Sequence, residues 1–337
     1  MNPSIGIIGS GISGLTCARH LTAEGWQPTV YEKSRGPGGR TSTRRQFDTR
    51  FDHGAQYFTA RSTGFRNRLT QWTKDGITAI WQGRFGTADN GEFVADTQTG
   101  TRWVGTPGMN AIARHLGREI DCRWNHEVTQ IQRVDGRWRV DFAEPGVTRW
   151  HDWLVLSCPG PQARRLVPAE SRVHRPATTL EYAPCWAIML VPTHPLDLPF
   201  DGIRFAQGPL AWAARENSKP MRSTSERWVL HASAAWSRRN INATPKEVID
   251  AAIATLGRWS PVQIDQASAH RWLYARCTPQ SGEAAIWDAQ NQLGLCGDGL
   301  VGPRVEDAWT SGTKMAELLI GANHGNRGRG RIRANWQ

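Results

Sequence analysis

At 337 residues the chain is long enough for two domains with sizeable cores. No run of eighteen apolar residues occurs, so a membrane span is not expected, and the first residues lack the basic and apolar regions of a secretory leader, which makes cytoplasm the default. The net charge is +11, with 36 arginines and only 5 lysines among the 41 cations; such a surface favours phosphate-bearing small molecules.

The first element is a buried strand, Ile5-Gly6-Ile7-Ile8. Gly9-Ser10-Gly11-Ile12-Ser13-Gly14 then opens a helix to about Glu24, stopped by Gly25. A second strand, Thr29-Val30-Tyr31, ends at Glu32, followed by Lys33. Gly9 permits the tight turn, Gly11 lets backbone approach a pyrophosphate, and Gly14 lets helix and strand pack closely. The free N–H groups of Ile12, Ser13 and Gly14 at the helix start suit phosphates. Glu32, eighteen positions beyond Gly14, suits ribose hydroxyls and repels a 2′-phosphate. Strand, turn, helix, strand and acid in register predict a site for an unphosphorylated adenosine dinucleotide.

Arg35-Gly-Pro-Gly-Gly39-Arg40 follows at once, and this Arg-Gly-x-Gly-Gly-Arg string resembles the amine-oxidase-like FAD flavoproteins. The resemblance implies that Gly39 lies along the pyrophosphate and that Arg40 neutralises phosphate charge. Next, Glu127–Ile131 and Trp138–Val140 read as strands around an Asp135-Gly136 turn. By the same resemblance, Val128 bonds the adenine through its backbone. Leu293–Asp298 reads as a strand running into a Gly-Asp turn, before Arg304 and a helix from Val305 to about Leu319. The resemblance gives Asp298 the ribityl hydroxyls, and the helix start the anion formed on the flavin ring. FAD is therefore the expected cofactor.

In the other half, residues 186–191, 228–232 and 268–274 read as strands. Pro245 to Leu256 reads as a helix capped by Thr244. The predicted architecture is α/β: a Rossmann-type FAD-binding domain (1–70, 101–165 and 285–322) with an interleaved α+β substrate domain (71–100 and 166–284). A basic flexible tail is expected over 323–337, where Arg327, Arg329, Arg331 and Arg333 alternate with Gly and Ile. No nucleic-acid-binding motif accompanies it, so nucleic acid is not an expected partner. Six scattered cysteines at positions 17, 122, 158, 185, 277 and 296 show neither disulfide nor metal spacing, so no metal is expected. Cys296 reads as a small buried strand residue. The seventeen tryptophans have no period and read as packing residues.

Further strings together resemble the renalase family, particularly its bacterial members: Gly54–Arg61, Trp103–Met109, Leu210–Pro220, Trp228–Ser233, Trp236–Arg238 and His270–Arg276. The match extends to about residue 320. It implies an FAD oxidase acting on 2- and 6-dihydro isomers of reduced nicotinamide dinucleotides, with molecular oxygen as acceptor and hydrogen peroxide as product. Hydride loss from such a ring leaves an aromatic pyridinium, so no catalytic side chain is expected; the site must hold the ring face-on to the flavin. Gln56 and Tyr57 are expected to border the flavin, Tyr57 and Phe58 the substrate, and Arg61 to meet a substrate phosphate. Asn217, His231, Trp272 and Tyr274 are expected in the pocket wall. The chain departs from the family pattern at Gly299-Leu300, where an aromatic is expected after the Asp, and at Asn110, where Ser is expected. The rival readings are a flavin amine oxidase or desaturase on the same fold, and a flavin-stabilised binding protein whose basic tail contacts nucleic acid.

Overall fold

A computed structural model describes residues 2–97, 100–278 and 282–334, with side chains up to residue 325. The chain forms two compact units, Met1–Gly39 with Ala113–Glu181 and Cys277–Gln337, and Arg40–Ile112 with Tyr182–Arg276. The second unit thus takes residues 40–70 and 101–112, which the sequence reading assigned to the first. Long-range pairing explains this: Thr78–Ile80 pairs antiparallel with Trp103–Gly105, and Phe58 exchanges both backbone hydrogen bonds with Trp103 at 2.8 Å. Residues 166–181 move the other way, into the first unit. The Ser171 hydroxyl and the Arg172 N–H donate to Asp288 there.

In the first unit the described residues form a six-stranded sheet. Its order is Ala285–Asp288, Leu293–Cys296, Trp153–Leu156, Ile5–Ile8, Thr29–Glu32, Asp121–Trp124. Only Ala285–Asp288 runs antiparallel to its neighbour. Ile5–Ile8 and Trp153–Leu156 are buried throughout, as strands covered on both faces require. The first helix, Ile12–Ala23, packs against the last, where a side chain at Gly312 would stand 2.2 Å from the Ser13 carbonyl oxygen. Gly25, at φ +75°, ends the first helix as predicted. A separate antiparallel sheet holds Val128–Val134, Arg137–Phe142 and Thr148–His151. Its first turn has Asp135 and Gly136 both at positive φ.

The last helix runs Val305–Ala334, past the predicted end at Leu319 and into the segment expected to be a flexible tail. Neither Gly321 nor Gly325 stops it, because an interior glycine weakens a helix by only about 1 kcal/mol. Asn323 is buried and donates to Asn2 at 3.0 Å. The side chains of Arg327, Arg329, Arg331 and Arg333 lie outside the described residues, as do residues 335–337. No helix of the described residues is long and apolar enough to cross a membrane.

The second unit is built on a mixed sheet, seven-stranded among the described residues. Its order is Ile264–Cys277, Tyr182–Pro192, Trp228–Ala232, Leu210–Arg215, Gly202–Phe205, Phe85–Asp89, Glu92–Ala95. Its core gathers Trp186, Ile188, Leu190, Trp228 and Leu230 with Val248, Ala252 and Leu256. The latter three belong to the predicted helix Pro245–Leu256, whose capping box joins Thr244 and Glu247.

Candidate functional site

In the first unit three glycines of one turn serve different ends. Gly9 has φ +111° and a side chain there would sit 2.9 Å from the Ser157 carbonyl oxygen. At Gly14 it would sit 2.2 Å from the Gly9 carbonyl oxygen. Packing within the chain demands both. A side chain at Gly11 would meet nothing within 4 Å, so the protein leaves that approach open. Gly11 is also the N-cap, with no side chain bonding the helix start and no acid in the first turn. The first amides, on Ile12, Ser13 and Gly14, therefore remain for an anion, while the Ile12 and Ser13 side chains are buried. The second glycine-rich segment lies alongside: Gly38 N–H donates to Ser10 O at 3.1 Å, and a side chain at Gly39 would stand 3.4 Å from Gly11 Cα. These residues fit a dinucleotide pyrophosphate.

Glu32 is 9 % exposed. Its Oε2 accepts from the Ser10 N–H and hydroxyl, both at 2.9 Å, and its Oε1 accepts from the Ser34 N–H at 2.9 Å. Each carboxylate oxygen can accept more than one bond, so capacity for ribose hydroxyls remains, but Glu32 is also a structural tie. Lys33 is exposed. Val128 is half-buried and opens its strand, where a bulge before Gln130 breaks the ladder.

Asp298 is buried and begins a short helical turn, Asp298–Leu300; its Oδ2 lies 3.7 Å from the Cys277 thiol. The start of the last helix differs from expectation. Its first turn carries Glu306 and Asp307, both buried, and Arg304 binds Asp307 through Nε at 2.8 Å and Nη2 at 2.9 Å. The positive end of that helix is thus partly balanced by its own acids, and the Arg304 guanidinium is already engaged. Val305 is buried. Cys296 is 1 % exposed, and burial pushes its thiol up, as befits an inert strand residue.

In the second unit Arg40 stacks over the Tyr182 ring at 5.5 Å. Tyr57 stands among aromatics, 5.6 Å from Trp212 and 6.4 Å from Trp81, with the Arg102 guanidinium 5.4 Å from its ring. Phe58 is instead a core residue, 4 % exposed and edge-on to Phe65. Its flanking backbone pairing with Trp103 turns it inward. Arg61 is exposed. Asn217 donates to Thr224 O at 3.3 Å, while its Oδ1 is buried with no hydrogen-bond partner.

The structure brings Trp272 and His231 together on one carbonyl. Trp272 Nε1 donates to His53 O at 2.9 Å, and His231 Nε2 lies 3.3 Å from the same oxygen. The Trp272 ring also meets the imidazoles of His53 at 5.0 Å and His270 at 4.7 Å. Burial holds His231 down to about 4. Burial, with the Arg44 charge, does the same to His270, and burial with the His270 and Arg44 charges takes His53 to about 3. All three imidazoles are neutral at pH 7. Tyr274, two residues along the same strand face, meets Tyr182 at 6.0 Å.

Sequence reasoning missed His53, which directly precedes one chosen string, the part played by His270, which opens another, and a buried ionic knot around Gln56. Gln56 is 5 % exposed and faces inward: Nε2 donates to the Asp52 and Gly54 carbonyls, and Oε1 accepts from Lys219 Nζ at 3.0 Å. Its side chain is therefore a strut inside the unit. The available signal was compositional: Lys219 is one of five lysines in an arginine-rich chain.

Residues 7–71 match the model of a family described as NAD(P)-binding Rossmann-like domain. Among curated proteins, a 4-hydroxybenzoate brominase (decarboxylating) from Pseudoalteromonas luteoviolacea is 26% identical over 164 residues, 48% of this chain and 26% of that protein. A phytoene desaturase (neurosporene-forming) from Cereibacter sphaeroides is 50% identical over 48 residues, 14% of this chain and 9% of that protein. The chain thus spans no more than about a quarter of the length of either relative. Solved structures match far more extensively. One provisionally named a protoporphyrinogen oxidase, from Exiguobacterium sp. 255-15, superposes with a TM-score of 0.78 at 12% identity, covering 95% of this chain and 99% of that one. Wild-type putrescine oxidase bound to putrescine gives 0.69 at 13% identity, covering 95% and 99%. The fold is therefore a Rossmann-type α/β fold shared with these two structures.

Proposed function

We propose that this chain is an FAD-dependent oxidase that converts 2- and 6-dihydro isomers of NAD(P)H to NAD(P)+. The fold, the open approach at Gly11 and the uncapped helix behind it support a bound dinucleotide cofactor. FAD, when bound, supplies hydride acceptance from the dihydronicotinamide ring and return of the electron pair to molecular oxygen as hydrogen peroxide. Ile12, Ser13 and Gly14 offer backbone N–H groups to its pyrophosphate and Glu32 offers its carboxylate to the ribose. Val128, Gly39, Arg40 and Asp298 complete the proposed cofactor contacts.

The observation that carries the substrate reading is the neutral wall around Trp272. His53, His231 and His270 are held neutral down to about 3 to 4, so they are too weakly basic to strip a proton from an alkylammonium. Oxidation of a dihydronicotinamide asks for no such proton transfer: it asks for a flat, uncharged surface that positions the ring and tolerates the pyridinium product. Tyr57, Trp272 and Tyr274 supply aromatic faces for this, with His231 and Asn217 as polar contacts and Arg61 for a phosphate.

The second reading, an amine oxidase or desaturase, is favoured by the fold shared with putrescine oxidase and by the local match to phytoene desaturase. Anaerobic mixing of the flavin-loaded protein with chemically reduced NAD+ separates the two. Bleaching of the flavin band by the mixed dihydro isomers, but not by pure NADH, is the expected result. Equal bleaching by both indicates a general NADH-using flavoprotein, and bleaching by putrescine alone supports the second reading.

A further inference from the structure

Buried charge in the second unit is concentrated at one point. The side chains of Asp52, Glu216 and Lys219 are fully buried and that of Arg222 is 2 % exposed. Lys219 pairs with Glu216, lies 3.6 Å from Asp52 Oδ2, and donates to Gln56 Oε1 at 3.0 Å. Arg222 Nη2 donates to Asp52 Oδ2 at 2.6 Å and to Gly105 O at 3.0 Å. Asp52 Oδ1 accepts from the Met109 N–H at 2.9 Å and the Thr43 hydroxyl at 2.7 Å, and Glu216 Oε2 accepts from the Asp52 N–H at 3.0 Å.

A buried ion pair contributes little net stability against an apolar substitute, so stability alone does not account for this cluster. Its geometry says more. Lysine only donates, so the Gln56 carboxamide must turn its oxygen to Nζ. Its NH₂ then faces the Asp52 and Gly54 carbonyls and closes the 52–54 turn on itself. A side chain at Gly54 would come within 2.0 Å of the Arg40 carbonyl oxygen, so this turn is also packed tightly from the other side. The next residue is Tyr57. A compact ammonium with three diverging donors suits Glu216, Asp52 and Gln56 together, where a planar guanidinium does not.

We propose that Lys219 is a positioning residue: acting through Gln56, it fixes the 52–58 segment and so sets the Tyr57 ring against which the nicotinamide is held. The inference rests on the reading above only in assigning Tyr57 to the substrate. Lys219 touches neither substrate nor cofactor in this scheme, and it moves no proton.

The test uses the full-length, flavin-loaded protein and Lys219→Met, Gln56→Met and the double variant. Amide hydrogen exchange across 52–58 should accelerate about tenfold or more in each single variant, with Trp228–Ala232 unchanged. Anaerobic flavin bleaching by the dihydro isomers should slow by about 10- to 100-fold in each single variant and no further in the double, because both remove one strut. Unchanged exchange in both single variants, or losses that multiply in the double, overturns the proposal. If Lys219→Met does not fold, Gln56→Met decides alone through exchange, since it leaves Lys219 paired with Glu216 and Asp52. If the wild type binds flavin but is not bleached by the isomers, the substrate reading fails, while exchange across 52–58 still decides the role of Lys219.

Discussion

The two units solve the problem of building a site with opposite materials. The first offers backbone: glycines at 9, 11 and 14, a helix start with no side-chain cap, and the Glu32 carboxylate tied to the same turn. The second uses side chains far apart in sequence, gathered into an ionic knot and an aromatic–histidine wall. A backbone site is encoded by spacing, and it survives many changes at neighbouring positions. A knot of buried charges depends on every member, since removing one strands the others.

The sharpest way to break that comparison is Asp52→Ala. It leaves Lys219 and Arg222 buried with one carboxylate fewer, which costs about 3–5 kcal/mol. Denaturant unfolding should show that loss; a change below about 1 kcal/mol would mean that water reaches the knot. Burial pushes the Asp52 carboxyl up, but Lys219, Arg222 and the Met109 N–H outweigh it, and the net direction is down. Its contribution is therefore present above the ordinary carboxylate range and lost as pH falls through the folded value.

The histidine wall yields the next effect, at higher pH. Folded His53 titrates at about 3 and His231 and His270 at about 4, against an unfolded value of about 6.5. Between those limits the unfolded chain binds protons that the folded chain refuses, so stability falls as pH falls. The well-buried His53 and His231 each contribute up to about 1.4 kcal/mol per pH unit in that window, and His270, more open to solvent screening, contributes less. The melting temperature should drop steadily from pH 6.5 to 4.5, and His53→Gln should flatten the slope. A flat wild-type profile would contradict a neutral cluster.

How much of this was legible in the sequence follows the same division. Ile5–Ile8, Ile12–Ala23 and Thr29–Glu32 are read from local spacing, because strand, turn and helix each declare themselves within a few residues. The Asp135-Gly136 hairpin is legible for the same reason. The domain boundaries were not: nothing near residue 58 reveals that its backbone pairs with Trp103. The Asp52–Glu216 bond joins residues 164 positions apart. Both acids look like surface residues until the fold brings Lys219 between them. Gln56 was singled out, but the direction of its carboxamide is set by that distant lysine, which no local spacing reveals.

Gly14→Ala and Gly11→Ala sharpen the backbone side of the comparison. A methyl at Gly14, 2.2 Å from the Gly9 carbonyl oxygen, should cost about 1–3 kcal/mol of stability as helix and strand are forced apart. Thermal melting without added FAD reads this directly. Glu32→Ala lies between, since it strips acceptors from the Ser10 and Ser34 amides as well as from a ribose; a loss of about 1–3 kcal/mol should accompany weaker FAD retention.

Gly11→Ala should have the smallest effect on stability and is the most diagnostic. The new methyl meets no atom of the chain within 4 Å, so the loss should be confined to the poorer N-cap, about 0.5–1 kcal/mol. The same methyl projects into the approach that the proposed pyrophosphate uses, so FAD should be lost on dialysis while the apo-protein melts within that margin of wild type. Separation of the two readouts is the point: an equal loss of stability and affinity would make Gly11 another packing glycine. Full FAD retention would move the phosphates away from this helix end altogether.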